Sequence, residues 1–126
     1  MSTERPTQQE VKEATAAAAD SRPPQNVPVN VYETPGALVI LAPMPAVTAG
    51  DVTVDLAQRK LRFCADLRSA GPREYLINEW DYGNYERELD LPAGYGGGVE
   101  ATLANGQLAI RVLKGEGATV QIKPGE

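Results

Sequence analysis

The sequence predicts an all-β protein, an antiparallel β-sandwich of short strands. Three observations predict it. From Val27 onward, large apolar side chains recur with a period of two, the spacing of a strand with one face in a core. Ten prolines and twelve glycines in 126 residues supply frequent turn signals. No segment carries the apolar stripe of an amphipathic helix that could pack on a core. Roughly seven or eight strands with regular turns give a sandwich of one domain's size.

Residues 1–26 read as a separate arm. The alanines of Glu10 to Asp20 favour helix, but Val11 is the only large aliphatic there, so nothing pins such a helix to a core. Arg22-Pro23-Pro24-Gln25-Asn26 breaks any helix and acts as a linker. The arm is therefore expected to be disordered or weakly helical. The sandwich is expected over 27–114 and a C-terminal extension over 115–126.

Val27, Val29 and Val31 alternate with polar or turn-forming neighbours, and Pro35-Gly36 predicts a type II turn. Ala37 to Ala42 is apolar on both faces, which predicts a central strand. Val52, Val54 and Leu56 alternate with polar residues, and Leu61, Phe63 and Ala65 continue the inward phase. The short Gln58-Arg59 link makes the two runs a hairpin. Ser69-Ala70-Gly71-Pro72 is loop chemistry. Glu74 to Trp80 is a weak strand of mixed polarity, suited to an edge or to a partner. Tyr85, Leu89 and Leu91 share a face, and Pro92 ends that strand. Gly94 to Gly98 reads as a flexible turn. Val99, Ala101 and Leu103 lead through the turn Asn105-Gly106 to Leu108, Ile110 and Val112. Val120 and Ile122 follow the linker Lys114 to Gly117.

Several function classes are disfavoured. The net charge of −5 argues against nucleic acid, whose phosphates need a basic surface. The longest apolar run, Ala37 to Pro45, is far short of the ~20 residues of a membrane helix. Met1 to Pro6 lacks a signal-peptide apolar region, and the single Cys64 cannot form an internal disulfide. Together they lead us to expect a cytoplasmic protein.

Histidine is absent, which removes the commonest general base and neutral metal ligand. Cys64 has no cluster for zinc and falls on the outward phase of its strand. The Gly94 to Gly98 run lacks the lysine and the helix of a phosphate loop. Glu86, Glu88 and Asp90 form the polar phase of one strand, a solvated face. No catalytic residue, metal site or cofactor is expected. Arg87 breaks the pattern, because it holds an inward position between Tyr85 and Leu89. It either snorkels to water at a strand edge or bridges a subunit interface.

Five stretches in order resemble the small heat-shock protein family, whose core is the α-crystallin domain. Val29 to Thr34 (VNVYET) resembles its opening strand, and Pro45-Ala46-Val47 its P-G-V turn, with Ala46 in the glycine's place. Gly83-Asn84-Tyr85-Glu86-Arg87 with Leu89-Asp90-Leu91-Pro92 resembles its G-x-F-x-R-x-x-x-L-P stretch. Ala101 to Leu108 resembles A-x-x-x-N-G-x-L, and Val120-Gln121-Ile122 its C-terminal anchor.

The resemblance implies an immunoglobulin-like sandwich and an ATP-independent holdase of the stress response, binding unfolding client proteins. It implies a homodimer and higher assemblies. The implied dimer interface uses Arg87, with Tyr75, Leu76 and Ile77 crossing to the strand of Val29 and Val31 in the partner. The implied anchor, Val120 and Ile122, docks in a groove formed by Val52, Val54, Leu56, Ala101 and Leu103, where clients also bind. The arm departs from the family, which usually carries apolar and aromatic residues there. That departure keeps open a scaffold or interaction module with little general chaperone activity.

Overall fold

The computed structural model describes residues 25–66, 76–77 and 84–126. Within them run β1 (Gln25–Asn26), β2 (Asn30–Thr34), β3 (Ala37–Pro43), β4 (Val52–Ala57), β5 (Lys60–Ala65), β6 (Tyr85–Asp90), β7 (Tyr95–Ala104), β8 (Gln107–Lys114) and β9 (Val120–Ile122). A single 3₁₀ turn, Ala49–Asp51, precedes β4. One sheet has the order β1-β6-β5-β4-β9 and the other β2-β3-β8-β7. The strand pairs are antiparallel except the short β1–β6 pair.

Alternation decides which side chains meet between the sheets. Val52, Val54 and Leu56 on β4 and Leu61, Phe63 and Ala65 on β5 are buried, and the residues between them are not. Ile40, Met44, Leu108, Ile110 and Val112 close the core from the other side, all at 0% exposure. β3 pairs along both edges, with β2 and with β8, and its residues Ala37 to Ile40 are buried on both faces of the strand.

Both expected hairpins form. Gln58 and Arg59 have φ of 51° and 62°, and Asn105 and Gly106 have 53° and 74°. Positive φ at both central positions is the two-residue turn whose twist suits paired strands. Only the second uses residues that adopt it readily.

Three local expectations are corrected. Gly94 to Gly98 is not a turn: the turn ends at Gly94 (φ 91°), and Tyr95 already pairs with Lys114 in β7. The glycines are needed for close approach, since a Cβ on Gly97 would lie 2.2 Å from the Lys114 carbonyl oxygen. The Pro35-Gly36 turn is not type II, which needs positive φ at Gly36, a residue outside the positive-φ set. Val27 precedes β2 and does not belong to it. It is buried beside β6, where its N–H donates to Glu86 O at 3.2 Å. Most of the weak strand expected over Glu74 to Trp80, including Tyr75, lies outside the described residues.

Candidate functional site

Two edges of the sandwich gather the residues of interest. At the first, β4 and β7 lie beside one another across the two sheets. Val52, Val54 and Leu56 point into the core, so β4 offers its backbone edge outward. β9 takes that edge: Val54 faces Ile122, Asp55 faces Gln121 and Leu56 faces Val120. Val120 and Ile122, two residues apart, fall on one side of the strand and pack against the core beside Val99 and Ala101. Leu103 is buried close by. Gln121 points the other way and donates Nε2–H to Asp55 Oδ1 at 2.7 Å. The chain's own C-terminal segment thus sits between β4 and β7.

The second edge is β2, which ends its sheet. Its residues Asn30 to Glu33 are exposed. Val31 is 47% and Tyr32 51% exposed, while Val29 is half-buried against the core. Leu76 and Ile77 are 106% and 75% exposed. These four are the exposed large apolar side chains among the described residues.

Arg87 is half-buried on β6 and donates Nη1–H to the Val27 carbonyl at 3.0 Å. It meets the segment that carries the chain from β1 of one sheet to β2 of the other. The sequence offered only water or a subunit interface for this guanidinium and missed the carbonyl. Nothing in the spacing of Val27 foretold it, because a hydrogen bond across sixty positions carries no local signal.

The outer face of β5 and β6 is charged. Arg62 donates Nε–H and Nη2–H to Glu86 Oε1 at 3.1 and 2.9 Å, and Asp55 lies 4.0 Å away. Hydrogen bonding to Glu86 pushes the guanidinium's pKa upward, more than burial pushes it down. Lys60 pairs with Glu88 at 3.5 Å. Cys64 is half-buried and accepts a weak bond from Arg62 at 3.7 Å. These groups are tied to one another on a solvated sheet face, and no group of three metal-ligating side chains is found among the described residues.

Two sheets, with the C-terminal segment seated between β4 and β7 and with β2 as an exposed edge, define the β-sandwich. The sequence profile of the Hsp20/alpha crystallin family matches residues 30–123, and the chain belongs to that family. Solved structures show the same fold. HspA from Xanthomonas axonopodis has a TM-score of 0.67 at 24% identity, covering 76% of this chain and 100% of that one. A small heat-shock protein from Xylella fastidiosa gives 0.62 at 23%, covering 75% and 89%. Heat shock protein 16.0 from Schizosaccharomyces pombe gives 0.63 at 21%, covering 75% and 71%. A search of curated proteins found no match. The resemblance read from five short motifs therefore holds for the family and for the fold.

Proposed function

We propose that this protein is an ATP-independent holdase of the cytoplasm. It works at least as a dimer and keeps partly unfolded proteins from aggregating. One observation carries the reading. The exposed large apolar residues among the described ones, Val31, Tyr32, Leu76 and Ile77, lie on β2 and on the segment expected to reach β2 of a second copy. Unfolding chains expose apolar side chains and unpaired backbone, and an apolar edge strand takes both. The same edge serves self-pairing and client capture, so the two compete.

Arg87 supports the dimer through Val27, whose carbonyl it holds just before β2 begins. The groove at β4 is the second client site, open only when Val120 and Ile122 leave it. The mechanism has no chemical step and asks for no nucleotide or metal.

The test is thermal aggregation of a model substrate without ATP. Suppression of light scattering at equimolar subunits is expected, and no protection at any higher ratio sinks the holdase reading. A second reading is an interaction module with one defined partner. The arm favours it, since Val11 is its only large aliphatic residue. Pull-down from heated extract separates the two: a spread of labile proteins marks a holdase, and one stoichiometric partner marks a module.

A further inference from the structure

The C-terminal segment does not stop at its apolar pair. Lys123 Nζ donates to Gly50 O at 3.0 Å and to Val52 O at 3.5 Å, and lies 3.5 Å from Thr53 Oγ1. An ammonium has three donors, and all three find acceptors at the start of β4. Pro124 is buried. Gly125 then joins the other sheet: its N–H donates to Ala101 O at 2.9 Å, and its carbonyl accepts from Leu103 N–H at 2.8 Å. Upstream, Ala118 N–H donates to Gly96 O at 3.0 Å. Residues 118–125 are thus fastened to β7 at both ends and to β4 between them.

Two apolar side chains packed on the core from a strand paired with β4 need none of this. We propose that Lys123 to Gly125 form a clasp that holds the tail on its own domain. The groove between β4 and β7 is then a self-occupied site. It opens to an extended segment only when the clasp releases. The segment it accepts is more narrowly defined than an apolar pair: a cation directly after the second apolar residue, then a residue two positions on whose backbone pairs with β7. The occupant in the resting protein is this chain's own tail. A tethered tail acts at an effective concentration on the order of millimolar, which a free segment must overcome. The dissociation constant seen by that segment is the intrinsic one divided by the fraction of grooves that are open, so its affinity falls in proportion to that fraction. Chaperone activity is not a premise of this inference, and the experiment does not measure it.

The probe is a fluorescent synthetic peptide of residues 118–126, titrated by anisotropy onto three proteins. These are the full chain, a Lys123→Met chain ending at residue 123, and a chain ending at Gly117. The second keeps Val120 and Ile122 and lacks only the clasp. The peptide is expected to bind the chain ending at Gly117 at least about tenfold more tightly than the full chain, with the clasp-less chain between them. Hydrogen exchange adds a readout in the intact protein. The Leu103 amide, which donates to Gly125, should exchange slowly there and about tenfold faster without the clasp. Equal peptide affinity for the full chain and the Gly117 chain overturns the proposal. So does a clasp-less chain indistinguishable from the full one. Absence of binding to the Gly117 chain together with fast Leu103 exchange in the full chain overturns it as well.

Discussion

Single residues show where this chain obeys its family's geometry with the wrong side chain. Ala46 has φ of 70°, the left-handed region in which a Cβ crowds the following carbonyl. The family's turn has glycine at this place, so the departure seen in the sequence has a physical cost. Ala46→Gly is expected to raise stability by under about 1 kcal/mol, because relief of strain exceeds the added freedom of the unfolded chain. A urea midpoint that falls on this change would refute the strain argument. Gly97 is the opposite case. A Cβ there meets the Lys114 carbonyl carbon at 2.9 Å and the Gly115 Cα at 3.1 Å, all backbone that cannot rotate away. Gly97→Ala should cost toward the upper end of the roughly 1–3 kcal/mol seen for overpacking. Thermal melting would show it, and an unchanged midpoint would mean that the bulge between Tyr95 and Gly98 can shift.

At the scale of elements, two hairpins with the same backbone carry different sequences. Asn105-Gly106 matches its turn, while Gln58-Arg59 places two ordinary side chains at positive φ. The β4–β5 hairpin forms regardless, because its strands bury Val54, Leu56, Leu61 and Phe63 in the core. Tertiary burial overrides the turn's own preference. Replacing Gln58-Arg59 by Asn-Gly should therefore stabilise the protein by about 1 kcal/mol without altering the fold. The denaturant midpoint should rise with an unchanged m-value. The Arg59 carbonyl, which accepts from Leu91 N–H at 2.8 Å, is retained in the variant. Strand alternation was legible at this scale, and so were the Asn105-Gly106 turn and the two faces of β3. The glycine run was misread, because composition distinguishes a mobile loop from a close backbone approach only when the neighbour, Lys114, is known.

For the whole molecule, two segments among the described residues pass from one sheet to the other. Val27 to Val29 pass from one sheet to the other near β6, and Lys123 to Gly125 do so near β4. Arg87 fastens the first crossing and Lys123 the second. Arg87→Ala removes the charged donor from Val27 O and is expected to weaken the proposed dimer at least about tenfold, in keeping with a charge-assisted bond. Light scattering over a dilution series checks this. If the dimer mass and the melting temperature both stay unchanged, Arg87 holds neither the crossing nor the interface. Arg87→Lys keeps the charge and separates charge from the reach of the guanidinium.

Local pattern was enough for the all-β class, for the inward sets of β4, β5, β7 and β8, and for the family; it did not foresee that Val31 on β2 would stay exposed. Period-two alternation and turn residues act over a few neighbours, and the five motifs are likewise local. Tertiary structure alone decided where the segments before β2 and after β9 go. That the tail lies against its own β4, that Lys123 and Gly125 bind opposite sheets and that Arg87 meets Val27 are contacts between residues dozens of positions apart. Such pairings depend on which strand edges remain open after the core has packed, and no local pattern encodes that.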